Sequence, residues 1–452
     1  MTDLIVGSAA ILAVGFAAFR YRYDASIALG ATVLIGFFFP TYWEINVLGL
    51  PITVQTLSAI IGLFGYTLSG GSLRFRLTIC DLAVGTVLLA HVASDCLIHG
   101  GGWMTPLFAY GEWMLPYASG RYALGRISAY YQLRFITIAL MIYLGVLFVV
   151  DVVGGVNVLY DLTSGWTGWE APLRAKRFGL VRSAGTTAHP IFFSGMIIAL
   201  SPVIALSFCR NRTIRPGWIY GVSLGVLLLV TLLLSRAAVI AVLVAALASL
   251  LFRSRRSRPV VAVGLVAAIV LVTLNRDTAL QIWQKTGGRT DDRKQVVVVD
   301  GEKTLHNSSL ARLRLYDVYG TAALRAGVFG YGTSSVTGFP PNLPYLPKEA
   351  LAIKTVWTVE NSYLLMLLRF GWVGLAAMFM LTLSPIAMTA GQPDMELREH
   401  LWCLTASILG IAVLLVTVYS AYEITFPWLW LLGLASALMD PWVPSTRPIH
   451  RS

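Results

Sequence analysis

Charge is what this chain has least of. Only 12% of its 452 residues are charged, about half of the roughly 25% found in average soluble proteins. A water-facing surface cannot be covered with so few charges, which excludes a soluble enzyme. With 57% hydrophobic residues, a disordered chain is excluded as well. Cysteine is scarce too: Cys80, Cys96, Cys209 and Cys403 lie in or beside apolar runs without metal-ligand spacing. They read as free membrane thiols that pack as small hydrophobes, so a secreted disulfide scaffold is excluded. No internal repeat or low-complexity tract is visible. The first 19 residues carry Asp3 and no basic segment, so they read as a first span rather than a cleaved signal peptide.

Apolar runs of bilayer-crossing length are what the chain has in abundance. Spans are expected near 4–19, 25–40, 51–68, 79–98, 106–120, 135–156, 188–209, 217–234, 237–252, 259–275, 360–382, 401–420 and 424–440. This makes an all-α polytopic membrane protein of about 12–13 transmembrane helices. The expected organisation is an N-terminal helical part over 1–275 with an external loop 157–187, a large loop over 276–358, and a C-terminal helical part with a tail over 359–452. Lys and Arg outnumber Asp and Glu by 34 to 22. Nucleic acid is not needed to explain the excess, because alternating spans place 17 arginines on one side: Arg20 and Arg22, Arg74 and Arg76, Arg121, Arg126 and Arg134, Arg210, Arg212 and Arg215, Arg253, Arg255, Arg256 and Arg258, Arg398, Arg447 and Arg451. That pattern predicts an N-terminus outside and a C-terminus on the cytoplasmic side, the outside being the periplasm under the resemblance described below.

Two segments break the rule and mark where function is expected. Loop 157–187 carries Arg174, Lys176, Arg177 and Arg182. Loop 276–358, 83 residues long, holds 11 basic and 7 acidic residues. It contains a helix signal from Ser308 to Leu324, then Gly327 and the turn-like Gly330-Tyr331-Gly332. Arg236 stands at a tight hairpin between two apolar runs, where a guanidinium is costly unless it meets water or a partner. Arginine presents a planar fork that grips phosphate bidentately. Arg182, Arg236 and Arg312, with Arg177 and Arg314 nearby in sequence, therefore suit a lipid-linked diphosphate at the membrane face. The intramembrane carboxylates Asp95, Glu112 and Asp151 are further functional candidates, or partners for the arginines. Trp166, Trp169 and Trp357 are candidates for stacking on sugar faces.

Several segments resemble the O-antigen ligase and polymerase superfamily. Arg182-Ser183-Ala184-Gly185 is similar to its Arg-x-x-Gly segment, and Leu234-Ser235-Arg236-Ala237 to its Ser-Arg-Gly/Ala hairpin. Arg312-Leu313, followed by Gly327 through Gly332, resembles its Gly-Arg-Leu and Gly-x-Gly stretch. Glu360-Asn361-Ser362-Tyr363-Leu364 with Gly371-Trp372-Val373-Gly374 resembles its His-Asn-x-Tyr-Leu and Gly-x-x-Gly element. The resemblance covers roughly residues 105–382. It implies a fold related to lipid-dependent glycosyltransferases, an undecaprenyl-diphosphate-linked glycan donor, a glycan, lipid or protein acceptor, and no metal or other cofactor. The setting it implies is the periplasmic face of the bacterial inner membrane.

Two positions depart from the family pattern: Glu360 stands where His is usual, and Arg369 where Glu is usual. The first makes Glu360 the candidate base and favours a polymerase or exopolysaccharide-type transferase over a lipopolysaccharide ligase. The resemblance and the residue chemistry together nominate Glu360, Arg312, Arg236 and Arg182 as catalytic. Arg177, Arg314, His189, Asn361 and Tyr363 are nominated as substrate-binding. A direct Glu360–Arg369 pair within one helix is not expected, because nine residues span about 13.5 Å. A transporter or flippase of the same lipid-linked oligosaccharide is the alternative. Such proteins often carry inverted repeats, and none is seen here.

Overall fold

A computed structural model describes residues 2–47, 50–71, 76–167, 176–177, 179–209, 216–253, 259, 263, 296–299, 302–305, 308–337, 341–347 and 358–439. In chain order the helices are α1 (Thr2–Arg20), α2 (Ala25–Gly36), α3 (Val54–Leu68), α4 (Ile79–Val92), α5 (Thr105–Ala109), α6 (Leu115–Arg121), α7 (Ile127–Gln132), α8 (Arg134–Gly154) and α9 (Val158–Thr167). They continue as α10 (Pro190–Ser207), α11 (Pro216–Leu234), α12 (Arg236–Arg253), α13 (Ser308–Leu324), α14 (Thr333–Thr337), α15 (Ser362–Gly391), α16 (Met395–Leu414) and α17 (Tyr422–Leu438). The fold is mostly helical, as expected. The expectation of an all-α chain is corrected by three antiparallel two-stranded hairpins, pairing 44–47 with 50–53, 176–177 with 180–181, and 296–299 with 302–305. Short strands pair locally through a tight turn and leave no span-scale apolar signature.

Among the described residues, five helices are long and apolar enough to cross a membrane: Ile79–Ile98, Arg134–Gly154, Pro190–Ser207, Ser362–Gly391 and Met395–Leu414. Five shorter apolar helices accompany them. Most of the span expected at 259–275 lies outside the described residues. Large apolar side chains remain uncovered, such as Leu12, Phe16 and Phe19 on α1 and Val222, Val226 and Leu229 on α11. Such surface suits lipid, not water. α10 and α17 are packed inside the bundle, with Phe193, Trp428 and Trp430 fully buried.

Sequence sets the helix ends by capping. Asp24, Thr53, Thr78 and Asp394 each accept backbone N–H bonds at the starts of α2, α3, α4 and α16, where a helix otherwise leaves donors unsatisfied. Small residues set the closeness of packing. Gly120 on α6 faces Trp430 O, and Gly433 on α17 faces Tyr117 O, so neither position has room for a side chain. Without a hydrophobic drive between helices in lipid, such close backbone approach supplies the contact.

The bundle has two chemically distinct ends. Arg126 pairs with Asp24, Arg121 pairs with Asp81 at 3.2 Å, and Arg121 also donates to Arg76 O. These arginines from the alternation pattern thus share one end. The opposite end gathers the N-terminus of α1, the starts of α10, α12, α15 and α17, and the ends of α8, α11 and α16. We call it the site end.

α15 is broken. Gly371 has φ 66° and ψ −160°, a conformation essentially open only to glycine. Four backbone bonds close the break from outside the helix. Tyr331 N–H donates to Leu368 O (2.8 Å), Gly332 N–H to Arg369 O (3.0 Å), Trp372 N–H to Gly327 O (3.1 Å) and Val373 N–H to Val328 O (3.2 Å). Gly327, Gly330 and Gly332 all have positive φ, which lets this turn lie flat against the break. A Cβ on Gly371 would overlap the Val328 carbonyl. Gly371→Ala is therefore expected to lower the thermal midpoint in detergent, at a strain cost of about 1–3 kcal/mol. An unaltered midpoint in a differential scanning measurement would refute the docking described here.

Candidate active site

The Arg182-Ser183-Ala184-Gly185 segment is anchored from below by Asp151 near the end of α8. Asp151 accepts from Ser183 Oγ (2.6 Å), Gly185 N–H (3.3 Å) and Val158 N–H (3.1 Å). This carboxylate was a candidate partner for arginine; instead it shapes the loop that presents one. Farther along, the Glu423 carboxylate accepts from Ala188 N–H (2.8 Å) and Thr41 Oγ1 (2.7 Å). His189 then caps α10, its Nδ1 accepting from Ile191 N–H at 3.1 Å, with Pro190 at the first helical position. Part of His189 is thus committed to structure.

Arg182 Nε donates to Leu234 O, the last residue of α11. α12 begins two residues later at Arg236, so the bond brings the Arg-x-x-Gly loop onto the arginine hairpin. The hairpin is tight: Ser235 N–H still donates to Thr231 O, and Ser235 O already accepts from Val239 N–H. Arg236 is half-buried there.

Glu360 and Asn361 immediately precede α15. Asn361 caps it by accepting from Leu364 N–H (3.0 Å), and its amide donates to Tyr316 Oη on α13 (2.7 Å). Arg312 lies one turn before Tyr316 in the same helix, about 6 Å along the axis. The side chains of Arg177, Arg312 and Arg314 lie outside the described residues, as do those of Trp166, Trp169 and Trp357. Ser362 N–H donates to Leu415 O (2.9 Å), and Ser362 Oγ to Val418 O (2.8 Å). Because α12 and α16 run antiparallel with Gly410 against Ala241, Leu415 stands level with Arg236. Glu360 and Arg236 therefore share one depth at the site end. Tyr363 is turned into the bundle, its hydroxyl between Thr382 Oγ1 (3.1 Å) and Ala412 O (3.3 Å), so the expectation that it binds substrate is not supported by its surroundings.

Arg369 meets Glu112, with Nη1 4.0 Å from Oε1. His91 links that pair to Asp95, at 3.6 Å from Glu112 and 3.3 Å from Asp95, and stacks on Phe370 at 4.6 Å. Asp95 in turn accepts from Thr333 N–H (2.7 Å). These groups tie the broken helix and its docked turn to α4 and to the residues between α5 and α6. They are a brace beside the site rather than part of its arginine cluster.

Sequence reasoning missed Tyr419 and Glu423. Glu423 opens an otherwise apolar span, the kind of intramembrane carboxylate that signals function by default. Burial, then the carboxylates of Glu423 and Glu360, push the Tyr419 hydroxyl up to about 12.

Residues 221–379 match the family model described as O-antigen ligase. The match takes in the Arg236 hairpin, α13, the docked glycine turn and the Glu360 end of α15. The likeness to O-antigen ligases read from the sequence is thus shown over this stretch. It supports a ligase- or polymerase-type role in O-antigen biosynthesis, carried out by a multi-pass membrane protein. No curated protein matches the chain.

Proposed function

We propose that the protein transfers a glycan from undecaprenyl diphosphate to an acceptor hydroxyl at the periplasmic membrane face, as an O-antigen-type polymerase or ligase. The observation that carries the reading is the Asn361–Tyr316 bond. It seats α13 against the start of α15, directly after Glu360, while the Arg182–Leu234 bond joins the Arg182 loop to the Arg236 hairpin. On this reading three arginine segments and one carboxylate serve a single site at one end of an apolar bundle. The lipid tail would run among helices, leaving its diphosphate at the arginines.

In the reaction the acceptor oxygen attacks the anomeric carbon, and the bond from that carbon to the diphosphate oxygen breaks. Glu360 takes the acceptor proton. Undecaprenyl diphosphate leaves with the bonding electron pair, and Arg182, Arg236 and Arg312 hold the charge that develops on it. Preorganised donors aimed at developing charge lower the barrier without reorganising during the step. Replacement of the family's usual His by Glu360 favours polymerase over lipopolysaccharide ligase.

The test is a profile of lipid-linked and cell-surface glycan from a null strain complemented with wild type or Arg312→Ala. Single repeat units in place of long chains identify a polymerase, and full-length chains stranded on undecaprenyl diphosphate identify a ligase. Arg312→Ala is expected to leave the null profile uncorrected. A normal profile in the null itself would remove the transferase reading.

A further inference from the structure

Segment 415–421, between α16 and α17, touches both halves of the site. Its carbonyls at Leu415 and Val418 hold Ser362, two residues from Glu360. Its far end runs directly into Glu423, which holds Ala188 beside His189. Tyr419 sits midway. Its backbone carbonyl accepts from Ala421 N–H (2.8 Å), which turns the chain sharply there. Its ring meets Phe192 edge-on at 5.6 Å and 90°, and Phe192 in turn lies 5.6 Å from His189. The ring is 39% exposed, so it is held from one side and open on the other.

We propose that Tyr419 is the floor of a subsite for one pyranose ring of the acceptor glycan, bounded by Glu360 and Glu423. The inference rests on the transferase reading and adds the acceptor's place within the site. A pyranose offers a face of C–H groups and a rim of hydroxyls. The face suits a rigidly backed aromatic ring, and the rim suits carboxylates. Charge decides which substrate lies here. The Glu360 carboxylate disfavours a diphosphate here, so the donor's anionic end belongs with the arginines and the neutral, hydroxyl-rich acceptor with Tyr419. The arrangement also brings an acceptor hydroxyl to Glu360, where its proton must go.

The experiment uses full-length protein in lipid nanodiscs saturated with undecaprenyl diphosphate, which fills the donor's lipid site. Repeat-unit oligosaccharide, released by mild acid from the null strain's lipid, is titrated in and followed by saturation-transfer NMR. Tyr419→Ala is expected to weaken oligosaccharide binding about 10-fold, equivalent to about 1.4 kcal/mol, with undecaprenyl diphosphate affinity unchanged. Tyr419→Phe keeps the ring and is expected to bind as wild type does. Tyr419→Leu, which keeps apolar bulk without an aromatic face, is expected to follow the alanine variant. No binding by wild type, equal affinities in wild type and both ring-less variants, or a loss confined to undecaprenyl diphosphate would each overturn the subsite. Tyr419-dependent oligosaccharide binding in a protein whose null strain has a normal glycan profile would sink the transferase reading and leave the subsite standing.

Discussion

Glu360→Gln is expected to slow glycan transfer by about 10²–10⁴-fold, the usual contribution of a positioned general base. The glutamine side chain has nearly the same shape and keeps one acceptor oxygen, but it cannot take a proton at neutral pH. Local structure should survive the change. The start of α15 is secured by Asn361 and Ser362, through bonds to Leu364, Tyr316, Leu415 and Val418, and none of them uses the Glu360 side chain. Steady-state transfer with lipid-linked repeat units, alongside thermal unfolding in detergent, separates the two effects. Turnover equal to wild type would strip Glu360 of the base role. Asn361→Ala is the informative contrast, since it loses a helix cap and the tie to α13 while leaving the carboxylate in place.

Arg236→Ala should cost about 10²–10³-fold in kcat, the scale seen when one donor to a developing charge is removed. Arg236 occupies the first turn of α12, where the positive end of the helix dipole already attracts anions. Its hairpin is held to the Arg182 loop through a backbone carbonyl, so removal of the Arg236 guanidinium leaves that tether intact. Arg236→Lys retains charge but not the planar fork, and should fall between alanine and wild type. A rise in donor KM at unchanged kcat would mean that Arg236 only binds the ground state, contrary to the role assigned here.

Much of this architecture was legible in the residues. Apolar periodicity and the Ser308–Leu324 signal gave helices whose bounds agree closely with α1, α3, α10 and α13, and the glycines at 327, 330 and 332 form a turn in which each of the three has positive φ. Motif order led to the proposal that Arg182, Arg236 and Glu360 serve one site. What the sequence hid depends on partners far apart in the chain. Glu112 and Arg369 are separated by more than half the chain, so their pairing is invisible to any local pattern. The family's Gly-x-Gly and Gly-x-x-Gly elements look alike as catalytic loops, yet here they are the two faces of one backbone junction. Tyr419 escaped notice because an aromatic residue near a span end ordinarily reads as an interfacial anchor.

That junction has a consequence for how the protein is made. Residues 327–332 are synthesised before residues 368–373, and the roughly 40 intervening residues take several seconds at about 5–20 residues per second. Until the later segment arrives, the glycine turn has no ladder to pair with, and the arginine-bearing helix α13 has no fixed seat on the bundle. Assembly of the catalytic end is therefore a late event of biogenesis: the chain inserts most of its helices first and acquires a competent site only once its third-last helix and the segment after α16 are in place.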